Sequence, residues 1–308
     1  MKKLALLLFA GAIFTSCNDG DLVFNDLNFN ENVQKCSQKS IYYKLNGNEM
    51  LLLNMTGIIN DTIPLPLNQE FETPTSGNIL YRQYSGKAVA ASICDLIAPA
   101  TPQVVEEFTV NSAGKIKYKR ERRIIQKTND TKVSINYVYS FKFQNIVLSN
   151  QDKQIKYEDY NFGEYINSSS TLDFSLGNVI NYCDNSDIVI NKDRQIFKIN
   201  NPEFQLTENV GTQTVSLSNS NFITFYLLNQ VINYNEACDL NFSNPRTEIT
   251  EEWKATTGTL EIITTANSTV ENPEIITGYT HTLILKDATF VNGTDSFTIT
   301  EQTLGNYN

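Results

Sequence analysis

The chain has little of what most catalytic and metal-binding sites require. Its 308 residues include one histidine, one tryptophan and three methionines. A Ser-His-Asp or Cys-His arrangement would have to use the single histidine, His281. The five cysteines form no Cys-x-x-Cys pair, and no glycine-rich phosphate loop, dinucleotide fingerprint or calcium loop occurs. The sequence therefore predicts no catalytic residue, no metal ion and no cofactor.

The chain is also short of positive charge and of long apolar runs. It carries 24 Lys and Arg residues against 34 Asp and Glu residues, for a formal net charge of −10. Nucleic-acid binding needs a basic footprint, so no nucleic-acid partner is expected. No segment approaches the length of apolar sequence that a transmembrane helix needs. The 41% of apolar residues are nevertheless enough to build substantial cores.

The first 16 residues have the pattern of a signal peptide. Two lysines precede an apolar run of 11 residues, Leu4 to Phe14, which is too short to span a bilayer as a helix. The run ends in Phe14-Thr15-Ser16-Cys17, which resembles the lipobox of bacterial lipoproteins, although a leucine is usual where Phe14 stands. That resemblance implies removal of residues 1–16 and acyl chains on Cys17. Several acyl chains would anchor the protein stably to the outer membrane.

The composition of segment 17–26 indicates an acidic tether. Asn18-Asp19-Gly20-Asp21 after the cysteine resembles the export signal of surface-displayed lipoproteins of Bacteroidota. This resemblance favours display at the cell surface, and a lipoprotein facing the periplasm is the alternative. Asp61-Thr62-Ile63 resembles the O-glycosylation acceptor of the same phylum, which makes Thr62 a candidate modification site.

The remaining chain contains one domain twice. Cys94-Asp95-Leu96 matches Cys238-Asp239-Leu240, and Glu106-Glu107-Phe108 matches Glu251-Glu252-Trp253. Other motifs recur in the same order, with sequence offsets between 142 and 147: Leu27-x-Phe29 with Leu172-x-Phe174, Gly114-x-Ile116 with Gly258-x-Leu260, Tyr137-x-Tyr139 with Tyr279-x-His281, and Gly163-x-Tyr165 with Gly305-x-Tyr307. A weaker match places Ile41–Asn46 over Ile196–Asn200 at an offset of about 155. We infer a tandem duplication with repeats at 27–165 and 172–308, joined by a linker at 166–171.

The remaining four cysteines fit this duplication. An exported protein lies in a compartment where disulfides form, and four cysteines allow three pairings. Since each repeat has two cysteines, the duplication selects Cys36–Cys94 and Cys183–Cys238.

Strands are the dominant secondary structure that the sequence predicts. Alternation is clearest in Tyr137–Phe143, where aromatic residues occupy every second position. Short helices are expected only within 88–97 and 227–238. The fold class is therefore all-β, with two tandem homologous antiparallel β-sandwich-like domains, each with one internal disulfide. Small barrels are the alternative.

Several residues invite a functional interpretation and have a simpler structural one. His281 matches Tyr139, and Trp253 matches Phe108, so both are expected on sheet or core positions. The Glu106-Glu107 and Glu251-Glu252 pairs suggest a glycosidase, but adjacent strand residues point to opposite faces and cannot flank one bond. We expect these carboxylates to be solvated or to pair within loops.

Charge distinguishes the two repeats most clearly. The first repeat holds 16 basic and 14 acidic residues, whereas the second, counted over 172–307, holds 6 basic and 17 acidic residues. A basic strip accounts for much of the difference: Lys115, Lys117, Lys119, Arg120, Arg122 and Arg123. Three interpretations are open: a charged edge strand that blocks aggregation, a site for an anionic ligand, or a surface that docks onto the acidic second repeat.

The pattern as a whole resembles uncharacterised flavobacterial-type outer-membrane lipoproteins, so no catalytic role follows from the resemblance. The first hypothesis is a non-enzymatic, lipid-anchored binding or adhesion module of the cell envelope, whose glycan or protein ligand is unknown. A structural or accessory subunit of an outer-membrane complex is the second. A carbohydrate-active hydrolase is the third.

Overall fold

The computed structural model describes residues 27–60, 63–110, 113–127, 130–177, 180–183, 187–200, 206–240, 242, 244–270 and 272–308. The chain divides into two compact units. Unit 1 includes residues up to Glu121 and Val138–Asn167, and unit 2 includes Arg122–Tyr137 and Ser168–Asn308. The end of one first-repeat hairpin therefore belongs to the second unit.

The described part of the first repeat forms nine strands and one short helix. In chain order they are β1 (Gln34–Lys35), β2 (Ile41–Asn46), β3 (Glu49–Asn54), β4 (Glu70–Pro74), β5 (Ile79–Tyr84), α1 (Ala91–Cys94), β6 (Val104–Val110), β7 (Lys115–Gln126), β8 (Lys132–Ser149) and β9 (Gln154–Asp173). The strands pair in the order β1-β2-β3-β5-β6-β8-β7-β4, and β9 also pairs with β8.

The second repeat has the same elements in the same order. Its described residues form β10 (Asn181–Tyr182), β11 (Ile188–Lys192), β12 (Gln195–Asn200), β13 (Gly211–Ser216), β14 (Phe222–Leu228), α2 (Tyr234–Asp239), β15 (Ile249–Ala255), β16 (Thr259–Ser268), β17 (Ile276–Asn292) and β18 (Asp295–Tyr307). They pair as β10-β11-β12-β14-β15-β17-β16-β13, with β18 on β17. Each strand of the second sheet thus corresponds to the strand nine places earlier, as a duplication requires.

Each sheet folds into two layers that face each other. The layers are joined where β6 meets β8 over two residue pairs, and where β15 meets β17 over two residue pairs. Across the first core, Tyr42 of β2 lies 4.5 Å from Phe141 of β8, measured between ring centroids. Across the second, Phe197 of β12 lies 6.2 Å from Phe290 of β17. These strands are not sheet neighbours, so the contacts show the sandwich-like packing that the sequence predicts.

One glycine is required at the same place in both repeats. A Cβ on Gly114, just before β7, would lie 2.9 Å from the carbonyl oxygen of Asn145. On Gly258, just before β16, it would lie 2.7 Å from the carbonyl oxygen of Asp287. Asn145 and Asp287 both have positive φ, at 52° and 48°. The Gly-x-aliphatic motif therefore recurs because the backbone approaches too closely for any side chain.

Both predicted disulfides are present, one in each unit. Cys36 bonds Cys94, and Cys183 bonds Cys238. The short helices α1 and α2 end at these bridges, within or one residue beyond the ranges predicted for them. Asn233 caps α2, since its side chain accepts from the Glu236 amide while the Glu236 carboxylate accepts from the Asn233 amide.

The described structure differs from the sequence-based prediction at two places. Residues 166–171, expected to form a linker, contain the boundary between the two units, at Asn167 and Ser168, but their backbone continues strand β9 instead of forming a loop. The weak match of Ile41–Asn46 with Ile196–Asn200 is wrong, because the topology equates β12 with β3, not β2. The correct offset for this strand is 146, as Glu49 aligns with Gln195, and needs no insertion. Short apolar strands resemble one another too closely for such a match to be reliable.

Candidate functional site

The end of the β7–β8 hairpin supplies part of the core of unit 2. Val133 and Ile135 of this hairpin are completely buried in the same hydrophobic cluster as Phe174, Trp253 and Phe290. Ile124 and Tyr137 pack against that cluster. A segment of the first repeat thus completes the fold of the unit formed mainly by the second.

Arg122 is the centre of a buried polar network in this unit. Its side chain is 5% exposed, and its Nε and Nη2 atoms each lie 2.7 Å from Oδ2 of Asp295. Nη2 also donates to the carbonyl oxygen of Asn292 at 2.5 Å. The guanidinium carbon lies 4.8 Å from the ring centroid of Trp253. Arginine suits such a position because its planar guanidinium can pair with carboxylates and stack on an aromatic face at once.

Glu251 is the second carboxylate of this network, and its side chain is 1% exposed. Its Oε2 atom lies 3.8 Å from Nη1 of Arg122 and accepts from Nε1 of Trp253 at 3.2 Å. Its Oε1 atom accepts from the hydroxyl of Tyr137 at 2.5 Å. Burial, followed by the hydrogen bond to Glu251 and its charge, raises the pKa of Tyr137 to about 12. Tyr137 therefore stays protonated as a donor over the whole physiological pH range.

We call Arg122, Tyr137, Glu251, Trp253 and Asp295 the arginine cluster. Its carboxylates are both committed to Arg122, and all five side chains are buried or half-buried. The cluster joins the hairpin end to the rest of unit 2 through ion pairs and hydrogen bonds. It corresponds most closely to the docking interpretation of the basic strip, since Arg122 contacts acidic residues of the second repeat.

The first repeat satisfies the equivalent carboxylate in a different way. Glu106 occupies the position of Glu251, and Lys153 that of Asp295, at offsets of 145 and 142. Nζ of Lys153 lies 2.7 Å from Oε1 of Glu106, and the side chains are 40% and 29% exposed. A local lysine therefore does in unit 1 what an arginine from the preceding hairpin does in unit 2.

The remaining residues of the basic strip do not form an open cationic surface. Strand β4 pairs with β7 and brings acidic residues alongside it. Lys115 lies 2.6 Å from Glu72, Lys117 3.5 Å from Glu70, and Lys119 2.6 Å from Glu121. Arg120 donates to the carbonyl oxygen of Leu65 at 3.2 Å, and Arg123 is exposed. The edge-strand interpretation does not hold for Lys115–Lys119, since β4 pairs with β7 over these residues.

The single histidine and tryptophan are where the duplication places them. His281 is 6% exposed, and its Nδ1 atom lies 2.9 Å from Oγ1 of Thr264. Burial lowers the pKa of His281 below its ordinary value. Trp253 and Phe108 are both core residues. The expectation that these positions belong to the core is confirmed.

The two glutamate pairs are not equivalent. Glu107 is ion-paired with Arg82 at 2.6 Å, and Glu106 with Lys153. Glu252 is exposed while Glu251 is buried, so adjacent carboxylates do point to opposite faces. The expectation of solvated or loop-pairing carboxylates is wrong for Glu251, because Arg122 and Tyr137 compensate its burial.

Two predicted modification sites, Cys17 and Thr62, lie outside the described residues, as do the signal peptide and tether. Within the described ranges, no three His, Cys, Asp or Glu residues come together as a metal site would need. No helix in the same ranges is long and apolar enough to cross a membrane. No protein-family profile, curated protein or solved structure matches this chain.

Proposed function

We propose that this chain is a lipid-anchored, non-enzymatic binding module of the bacterial cell envelope, and that its ligand is a protein. The choice of a protein ligand rests on which apolar side chains are exposed. Among the residues whose side chains the structure describes, the large exposed apolar side chains are all aliphatic, and every aromatic side chain is at least partly buried. Sugar rings are typically bound by stacking on exposed aromatic faces, whereas protein partners cover aliphatic surface.

The most exposed aliphatic pair lies in unit 1, directly after the disulfide at the end of α1. Leu96 and Ile97 are 95% and 85% exposed. The matching residue of the second repeat, Leu240, is instead packed against the cluster around Cys183 and Cys238. The leucine of the Cys-Asp-Leu motif therefore packs against a core in the second repeat but is exposed in the first. Leu96 has no corresponding packing role in unit 1.

The chain is anchored two residues before the pair. Cys94 is bonded to Cys36, and its carbonyl oxygen accepts from Nζ of Lys39 at 3.1 Å. Anchoring so close to the pair limits the conformational entropy that these residues lose on binding, which favours their use in contact with a protein partner. An accessory subunit of an outer-membrane complex would use the same surface.

Replacing both residues in the full chain, as Leu96→Asp with Ile97→Asp, tests the protein ligand. We expect chemical cross-linking in intact cells to capture an adduct with a different protein for the wild-type chain, and at least tenfold less of that adduct with this variant. Val210→Asp with Val231→Asp is the matched control, because both residues are more than 60% exposed and lie in unit 2. Equal adduct yields from all three chains would contradict the assignment of this surface.

The anchor is tested separately by Cys17→Ala. Loss of the acylated side chain removes the membrane attachment, so the variant is expected in the soluble fraction while the wild type sediments with membranes. Protease treatment of intact cells, with a periplasmic protein as control, then decides the orientation of the wild-type chain. Loss of the chain with the control spared supports surface display, and protection supports a periplasm-facing anchor. Membrane retention of the Cys17→Ala variant would refute lipidation at this residue.

A further inference from the structure

The second repeat has its own counterpart of the hairpin end that completes unit 2. The arginine cluster uses residues 122–137 at the end of the β7–β8 hairpin. Because β16 and β17 correspond to β7 and β8, the equivalent end is formed by residues 266–279. In this second hairpin, Ile275 occupies the position of Val133, at an offset of 142.

This second hairpin end is exposed where the first is buried. Val133 is fully buried, whereas Ile275 is 58% exposed. Ile276 is 53% exposed and Val270 102% exposed. Three aliphatic side chains thus project from the second hairpin end. In the first hairpin end, the corresponding aliphatic side chains lie in the core of unit 2.

Unit 1 offers a more open version of the surface that receives the first hairpin. Glu106, the counterpart of Glu251, is 29% exposed where Glu251 is 1% exposed. Lys153 is 40% exposed where its counterpart Asp295 is 19% exposed. The positions that are covered in unit 2 are therefore more accessible in unit 1.

The second hairpin end and the corresponding surface of unit 1 both differ in charge from the arginine cluster. The first hairpin end carries Arg122, Arg123, Lys127 and Lys132 against one acidic residue, and it meets Glu251 and Asp295. The second hairpin end has no basic residue, carries Glu271 and Glu274, and has Ala266 in the position of Arg122. Unit 1 has replaced the acidic Asp295 position with Lys153, which already pairs with Glu106. The second hairpin end therefore lacks a counterpart of Arg122, and in unit 1 the carboxylate of Glu106 is already paired with Lys153.

We propose that the β16–β17 hairpin end of one chain docks onto unit 1 of a second copy, in the manner of the β7–β8 hairpin in unit 2. This contact is head-to-tail, so repeating it links chains into an open array or, where the rotation closes, into a ring. It goes beyond the proposed function, because it requires neither the anchor at Cys17 nor the surface at Leu96 and Ile97.

Site-directed cross-linking between copies tests this contact. By the alignment of the two repeats, Ala266 of one chain would face Lys153 of the next chain, as Arg122 faces Asp295 within unit 2. Cysteine side chains are shorter than arginine, so a short bismaleimide is used to join two cysteines at these positions. The full chain carrying Lys153→Cys and Ala266→Cys, in membranes from expressing cells, should give a ladder of cross-linked products that begins at the dimer. Each single variant should give none, because only one side of the contact then carries a reactive thiol.

Two further variants make the result specific. Lys153→Cys with Val210→Cys is the matched control, since Val210 is 64% exposed but lies outside the hairpin. Adding Ile275→Asp to the Lys153→Cys, Ala266→Cys chain should reduce the ladder at least tenfold while both native disulfides remain intact. A yield no higher than that of the control pair, a ladder that survives Ile275→Asp, or coupling of Ala266→Cys to a different protein would each overturn the proposal.

Discussion

Replacing Arg122 with methionine lowers the free energy of unfolding of unit 2 by about 3–5 kcal/mol, the usual loss when one partner is removed from a buried ion pair. The variant leaves Glu251, with a side chain that is 1% exposed, without its cation. Asp295 is 19% exposed and can recover part of its hydration, so Glu251 carries most of the effect. Methionine keeps most of the side-chain volume, so the loss reports charge rather than a cavity.

The single tryptophan makes this measurement specific to unit 2. Trp253 is buried in that unit, under the guanidinium of Arg122. Its fluorescence during guanidinium chloride unfolding therefore follows the part of the structure that the substitution affects. Arg123→Met is the matched control, because Arg123 is the next residue of the same hairpin and is exposed. We expect its unfolding midpoint to stay close to that of the wild type.

A second substitution shows whether an uncompensated charge is responsible. Glu251→Gln in the Arg122→Met background removes the buried negative charge and keeps an oxygen that can accept from Tyr137. The double variant is expected to recover part of the lost stability, although Glu251→Gln alone destabilises the wild type. An Arg122→Met variant as stable as Arg123→Met would show that the arginine cluster does not hold the hairpin end.

The duplication was predictable because its signals occupy positions that the backbone constrains. Gly114 and Gly258 recur since a side chain would collide with the facing strand, and the cysteines recur since each bridge closes within its own repeat. Phe108 and Trp253 recur because both fill a core. These constraints act within one repeat, so the repeated sequence records them directly.

The arginine cluster was not predictable in the same way. Arg122 and Glu251 are far apart in sequence and belong to different repeats, and the counterpart of Arg122 is Ala266. Comparison of the repeats therefore marks Arg122 as a difference instead of a shared feature. The available signal was the excess of basic residues on one strand and of acidic residues in the second repeat. That signal indicated docking as one interpretation but could not single out Arg122 from the five other basic residues of the strip.

The conformation of the segment between the repeats was less predictable than its position. The boundary between the two units falls between Asn167 and Ser168, inside the segment predicted as a linker. Its backbone nevertheless continues strand β9 as far as Asp173, because exposed strand positions accept serine. Leu172, near the end of this strand, already belongs to the core of unit 2. A polar run thus indicated where one unit ends, but not that the strand continues through it.

Removing either disulfide lowers the free energy of unfolding of its own unit by about 4 kcal/mol, on the chain-entropy account of cross-links that close loops of this length. The bridges join residues 58 and 55 positions apart, so their effects are expected to be similar. Both cysteines of a pair are replaced by alanine, because a single replacement leaves a reactive thiol. The second pair also packs in the cluster of Val189, Ile196 and Leu228, so its removal adds a small packing loss.

Each unit has its own spectroscopic probe for this experiment. Cys183→Ala with Cys238→Ala should lower the denaturant midpoint reported by Trp253 fluorescence. Cys36→Ala with Cys94→Ala should leave that midpoint close to the wild-type value and instead speed amide hydrogen exchange in β1, β2 and α1, the elements nearest its bridge in sequence. Each double variant is thus the control for the other. An equal shift of the Trp253 transition by both variants would mean that the two units unfold as one, and no shift by either would contradict the stabilising role of the bridges.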